Sequence, residues 1–315
     1  MCSSDYDFLT GGCPLSWIVI ALISAAIIAL VSISDKAVIY RYARSPLTLP
    51  LLIGMAQTTV GLIVLAIVRI PSGATLEASG SAVLSGALFG LSGVLGQRVL
   101  FTQEVSRTIP VVQSAPIFAA LLAVVVLDES ISVIQWLGIV ATVLGSVFLS
   151  LRITAGIKSI ILHRSFYLLM ISAFMFGAAN VAGKVALDEL PVLYTHGLRM
   201  LALGLVFLMF SFRLAPLVDV RRFFSQRSPA LLFVSTNEFI TANVGILLLL
   251  WALSLGPASL VTALLGTRAL FVVLYSTGLA IVWRGALGEE TSPGIVAIKV
   301  FSTMLIVAGV VAIAL

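Results

Sequence analysis

Apolar residues in this chain run in stretches of membrane length, separated by short polar turns. A bilayer core takes about 20 apolar residues per helix. Measured against that length, the sequence predicts ten spans, at 16–40, 47–69, 79–102, 106–127, 131–151, 165–187, 191–213, 229–254, 258–283 and 293–315. The longer connections hold the turn and charge signals: RYARSP at 41–46, RITAGIKSIILHR at 152–164 and RLAPLVDVRRFFSQRSP at 213–229. None has room for a soluble domain, so no separate catalytic module is expected. The predicted fold class is an all-α integral membrane protein.

The pattern also repeats. SAAIIALVSISDK (24–36) and SAFMFGAANVAGK (172–184) each open Ser-Ala and close on a lysine twelve positions later, an offset of 148 residues. A weaker echo joins RVLFTQEVSRTIPVV (98–112) to LLLWALSLGPASLVT (248–262). The two matches occur in the same order, which divides the chain into a tail (1–15), a first five-helix repeat (16–155) and a second (160–315). Five is odd, so homologous halves must enter the membrane in opposite senses. Inverted repeats of this kind serve alternating access, with the substrate site near the midplane between the halves.

Composition agrees with the pattern. The chain is 60% hydrophobic and 10% charged, with a mean hydropathy of +1.19, whereas a soluble domain carries roughly 25% charged residues. The net charge of +5 is spread among apolar runs and forms no soluble basic face, so nucleic acid is not an expected partner. Six basic residues fall within spans, eleven in odd-numbered connections, and Arg69 alone on the other side. By the positive-inside rule the odd connections are cytoplasmic and both termini lie outside. Cys2 and Cys13 sit together in the tail, which lacks the basic start of a signal peptide, so the first span is expected to be retained. They can pair if that tail meets an oxidising compartment. With His163 and His196 the only histidines and no zinc-type spacing, neither a metal nor a cofactor is expected. A phosphate loop fails in 177–185: five residues, not four, separate Gly177 and Gly183, and Val185 follows Lys184.

The run EVSRTIPVVQSAPIFAALLAVVVLDESISVIQWLGIVATVLGSVFLS (104–150) resembles the end of an EamA repeat. Pro110, Pro116, Glu129, Gln135, Gly138 and Gly145 occupy that module's Pro, acidic-turn and Gln-x-x-Gly positions. In the second half, LGPASLVTALLGTRALFVVLY (255–275) is similar to its ninth helix, while WRGALGEETSPG (283–294) carries extra residues around Glu289 and Glu290. The resemblance implies a member of the drug/metabolite transporter superfamily: ten transmembrane helices as two inverted five-helix repeats, moving small organic solutes. It also implies cytoplasmic termini, against the charge count. The expected home is a bacterial inner membrane.

Charges within a bilayer are costly and therefore functional candidates. Arg268, mid-span and ten residues beyond GPAS (256–259), is the expected centre, since a guanidinium grips carboxylate or phosphate with two prongs. The plainer reading is a buried pair with Glu238. Lys36 and Lys184 stand near helix C-termini, where they complement the dipole or border a cavity at opposite membrane faces. Asp35 is expected to pair across helices, because residue neighbours on a helix diverge. Asn180 lies one turn before Lys184, lining a path or making one interhelical bond. Glu238, with Asn237 beside it and Asn243 beyond, can pair with arginine or carry a coupled proton. Gln57, Gln113, His196, Arg98 and Arg199 are weaker candidates, the two arginines as possible snorkellers. Glycines in GALFGLSGVLG (86–96) suggest close helix packing. Pro110 and Pro116 would kink the fourth span, and Asp128–Glu129 would cap the fifth helix.

The expected function is a secondary transporter of a small polar metabolite, an amino acid or another carboxylate- or phosphate-bearing solute, with an amino-acid exporter as the default. It would work by alternating access as a monomer or homodimer, with a proton as one option for coupling. No ATP-binding motif is present. The alternatives are a membrane-embedded lipid-modifying enzyme, which would need clustered His, Asp or Glu, and a passive channel.

Overall fold

The computed structural model describes residues 16–41, 45, 47–102, 111–150, 164–226, 229–282 and 293–315. The cysteine-bearing tail, Pro110, residues 151–163 and the Glu289–Glu290 turn lie outside them. Regular structure among the described residues is helical throughout. The long helices are α1 (Ser16–Arg41), α2 (Thr48–Ile67), α3 (Leu76–Thr102), α4 (Ala115–Val126), α5 (Val133–Ser150), α6 (Arg164–Leu187) and α7 (Val192–Ser211). There follow α8 (Leu214–Ser225), α9 (Pro229–Ser235), a π-helical segment (Thr236–Thr241), α10 (Ala242–Leu255), α11 (Ala258–Leu265), α12 (Arg268–Val282) and α13 (Pro293–Ala314). Among the described residues, seven stretches are long and apolar enough to cross a membrane, and three shorter helices are apolar as well.

The distribution of side chains suits lipid. Large apolar residues such as Ile67, Val125, Leu137, Met209 and Met304 point outward, while the interior is lined by Ala, Ser, Gly, Thr and Asn. Small residues let backbones approach where no hydrophobic force draws helices together in lipid. A Cβ at Gly61 on α2 would stand 2.5 Å from Leu201 N on α7, and one at Gly138 on α5 would stand 2.9 Å from Gly309 O on α13. The expected packing role of residues 86–96 holds for Gly86, Gly90 and Gly93, which lie against Arg199, Val206 and Phe207 of α7. Beyond these pairs, α3 packs along α6, α1 along α10 and α12, and α4 along α6 and α11.

Two acidic side chains tie distant segments. Asp128, left-handed at φ 51, precedes Glu129, whose carboxylate accepts from Ala258 N (2.6 Å), Ser259 N (3.2 Å) and the Ser259 hydroxyl. Glu129 therefore caps α11, not the fifth helix as the sequence suggested. That helix, α5, has its own capping box, Ser132 N to Gln135 Oε1 at 3.0 Å and Gln135 N to Ser132 Oγ at 3.2 Å. Asp219 on α8 fastens the entry to α2 instead of capping it, accepting from Ser45 N at 3.0 Å and Thr48 Oγ1 at 2.8 Å.

Candidate functional site

The buried polar residues gather into two linked groups. The first surrounds the π-helical segment. An N–H pointing five residues back, in place of four, admits one extra residue and swells the turn. That turn presents Asn237 and Glu238 inward, both buried. Asn237 Nδ2 donates to Asp35 Oδ1 of α1 at 2.9 Å and to Glu238 Oε1 at 3.0 Å. Gln57 Nε2 of α2 donates to Glu238 Oε2 at 3.3 Å and to Glu238 O at 3.1 Å. The Asp35 and Glu238 carboxyl groups thus meet at one amide, and Asp35 also feels the Arg268 guanidinium. Gln57 is 1% exposed, yet its Oε1 has no partner.

The second group centres on Arg199, which is fully buried on α7. Its Nη2 donates to Asn180 Oδ1 at 3.1 Å, and Asn180 Nδ2 donates to Thr262 Oγ1 of α11 at 3.2 Å. The guanidinium lies over the Phe89 ring at 4.9 Å, a favourable contact when desolvated. Its Nε and Nη1 have no hydrogen-bond partner. A Cβ at Gly183 would stand 3.2 Å from Nη1 and 3.1 Å from Ser85 Oγ, so only glycine keeps that flank of the guanidinium clear. No carboxylate of the described residues pairs with this charge.

One bridge joins the groups. Asn243 Nδ2 donates to Glu238 O at 2.6 Å, and His196 Nε2 donates to Asn243 Oδ1 at 3.1 Å, leaving His196 Nδ1 buried and unpartnered. His196 and Arg199 are three apart on α7 and share a face. Nearby, two spans break. The fourth turns at Gln113–Ser114 before α4, with Pro116 in the first turn, and the ninth turns at Gly266–Thr267 between α11 and α12. Gln113 Nε2 donates to Gly266 O at 3.2 Å, and Ser146 Oγ to the same oxygen at 3.0 Å, so the broken backbone is satisfied by side chains.

The sequence-derived candidates therefore separate. Asp35, Glu238, Asn243, His196, Arg199 and Asn180 come together, and Gln113 lies at the two breaks. Arg268, half-buried at the first residue of α12, faces Asp35 and forms no ion pair with Glu238, which Gln57 and Asn237 hold instead. Lys184 stands apart at the end of α6, 4.0 Å from exposed Asp188. Arg98 lies 5.8 Å from the Phe210 ring. Lys36 is near the end of α1, its side chain outside the described atoms. Thr262 and Phe89 were not foreseen; neither residue type stands out in a chain with 17 Phe, and only the fold brings them to Asn180 and Arg199.

Residues 15–151 match the model of the EamA-like transporter family. No curated protein matches the chain. One solved structure, described only as the crystal structure of a protein, is 14% identical with a TM-score of 0.64, covering 96% of this chain and 98% of its own. At that identity the likeness concerns the fold alone, and it extends over α6–α13 as well as residues 15–151. The matched segment contains the Ser132–Gln135 box and the glycines that seat α5 on α13. Over residues 15–151, this integral, multi-pass membrane protein is thus similar to the EamA-like transporter family of the drug/metabolite transporter superfamily.

Proposed function

We propose that the protein is a secondary transporter that moves a small organic solute bearing a carboxylate or phosphate by alternating access. Arg199 carries this reading. A guanidinium without a carboxylate in a buried membrane site is expensive, and its Nε–H and Nη1–H groups are left free to donate charge-assisted hydrogen bonds to a carboxylate or phosphate. An anionic solute would complete the charge that the protein leaves open.

The helix packing supports two inverted five-span repeats, taking 229–255 and 258–282 as the eighth and ninth spans. Several of the contacts then have a counterpart when a span is exchanged for the one five further on: third with sixth answers eighth with first, and fourth with sixth answers ninth with first. The second with the seventh, the fourth with the ninth and the fifth with the tenth answer themselves. The two broken spans meet between the halves, as expected of a site near the midplane.

The test is counterflow in proteoliposomes with succinate, glutamate and glycerol 3-phosphate, beside neutral analogues. A carrier gives saturable exchange of an anionic member. Arg199→Ala, losing about 1.5–3 kcal/mol of charge-assisted hydrogen bonding, raises the half-saturation concentration about tenfold or more. Linear flux would favour a channel, and chemical turnover of lipid an enzyme. Exchange of neutral solutes alone, indifferent to Arg199→Ala, would sink the anion assignment.

A further inference from the structure

The Asp35–Glu238 pair plays no part in gripping the solute just described, yet its construction is specific. Two carboxyl groups from separate spans converge on one amide, Asn237, whose Nδ2 reaches both at 2.9 and 3.0 Å. Sharing that one amide nitrogen, the two carboxyl groups lie side by side in the buried interior. Two carboxyl groups held that way in a low dielectric keep one proton between the pair, because two like charges so close cannot both persist. Gln57, 1% exposed, holds Glu238 from the other side through Nε2.

The surroundings are sparsely charged. From α12 the pair faces Arg268, and α1 adds Lys36, whose side chain is outside the described atoms. His196 of α7 reaches the Glu238 backbone only through Asn243. The other elements packed on the pair, α2, α9, α10 and α11, contain no charged residue outside the π-helical segment. Counted over the described side chains, the pair with one shared proton carries a single negative charge against the guanidiniums of Arg268 and Arg199, leaving one positive charge. A monoanion at Arg199 would cancel it. With the proton gone those four charges already cancel, and an added anion would be uncompensated, which a low-dielectric site resists.

We infer that the Asp35–Glu238 pair is a proton site that is filled together with the anion site at Arg199, making the protein a proton–anion symporter. The inference rests on the transporter reading above. The link is material as well as electrostatic: Glu238 O, Asn243, His196 and one turn of α7 connect the two sites without a gap. No covalent step is involved; one proton and one anion enter together and leave together.

The experiment uses the full chain in proteoliposomes and the anion that exchanges in counterflow. With one proton per anion, an inward-directed gradient of about one pH unit should accumulate that anion about tenfold, since a tenfold ratio is worth one unit. Glu238→Gln and Asp35→Asn should reach only the passive level, whatever their rate of exchange. Counterflow without any response to the gradient in the wild type, or tenfold accumulation by either variant, overturns the symport while leaving the transporter reading intact. No counterflow at all refutes that reading and the symport with it. Because a misfolded variant would also fail to accumulate, the wild type is examined separately by infrared spectroscopy in detergent. Adding the same anion should intensify a carboxylic-acid band, and an unchanged band would overturn the proposal.

Discussion

At the scale of single residues, the buried interior of this protein is organised by what its polar groups lack. Arg199 has one hydrogen bond, to Asn180, and two open nitrogens. An anion that fills them adds stability by mass action, about 2.7 kcal/mol at one hundred times its Kd. The exchanging anion should therefore raise the melting temperature of the wild type and leave that of Arg199→Ala where it was. Arg199→Lys should recover part of the shift, because a lysine restores the charge without the two-pronged fork. Glu129 offers a contrasting test. It holds the first N–H groups of α11, so Glu129→Ala should cost about 0.5–2 kcal/mol, the usual worth of a helix cap. That loss should appear in the melt with no change in which anion stabilises the protein. The charged residues that became buried partners could be picked from the sequence by type, because any charge in a span is conspicuous. Their pairing could not. Glu238 had Arg268 as its obvious partner by sign, and yet Gln57, an amide on α2, and Asn237 hold it.

At the scale of elements, the apolar runs were legible because lipid imposes one length on all of them. Predicted and observed boundaries agree within a few residues for α1, α2, α3, α5, α6 and α7. Two features were hidden. The amphipathic α8 lies in what reads as a charged connection, its Phe223 and Val220 buried while Leu214 and Phe224 are exposed. The break at Gly266–Thr267 is hidden as well, because a glycine in an apolar span usually signals close packing rather than a turn. The glycine contacts that join elements can be tested directly. Gly138→Leu places a side chain where Gly309 O would stand 2.9 Å from its Cβ. Overpacking of this kind typically costs about 1–3 kcal/mol, so the variant should melt earlier and separate α5 from α13. A doubly labelled pair of cysteines on those two helices would report the increased spacing.

At the scale of the whole molecule, the direction in which the chain crosses the membrane follows from its basic residues, and the family resemblance points the other way. The charge count places the tail outside. A membrane-impermeant maleimide applied to intact cells after mild reduction should then label Cys2 and Cys13, the only cysteines in the chain. Labelling only after the cells are opened would reverse the orientation. The π-helical segment also bears on how the halves move. It is the one place among the described residues where a span carries π-helical turns. Were its six residues to tighten to α-helical spacing, α9 would turn against α10 by about 100°, one residue's worth of rotation. Glu238 sits within that segment, pinned by Gln57 and Asn237 from either side. The pair that takes up a proton thus also clamps a coiled spring, and loosening the clamp would swing the end of the eighth span like a key in its lock.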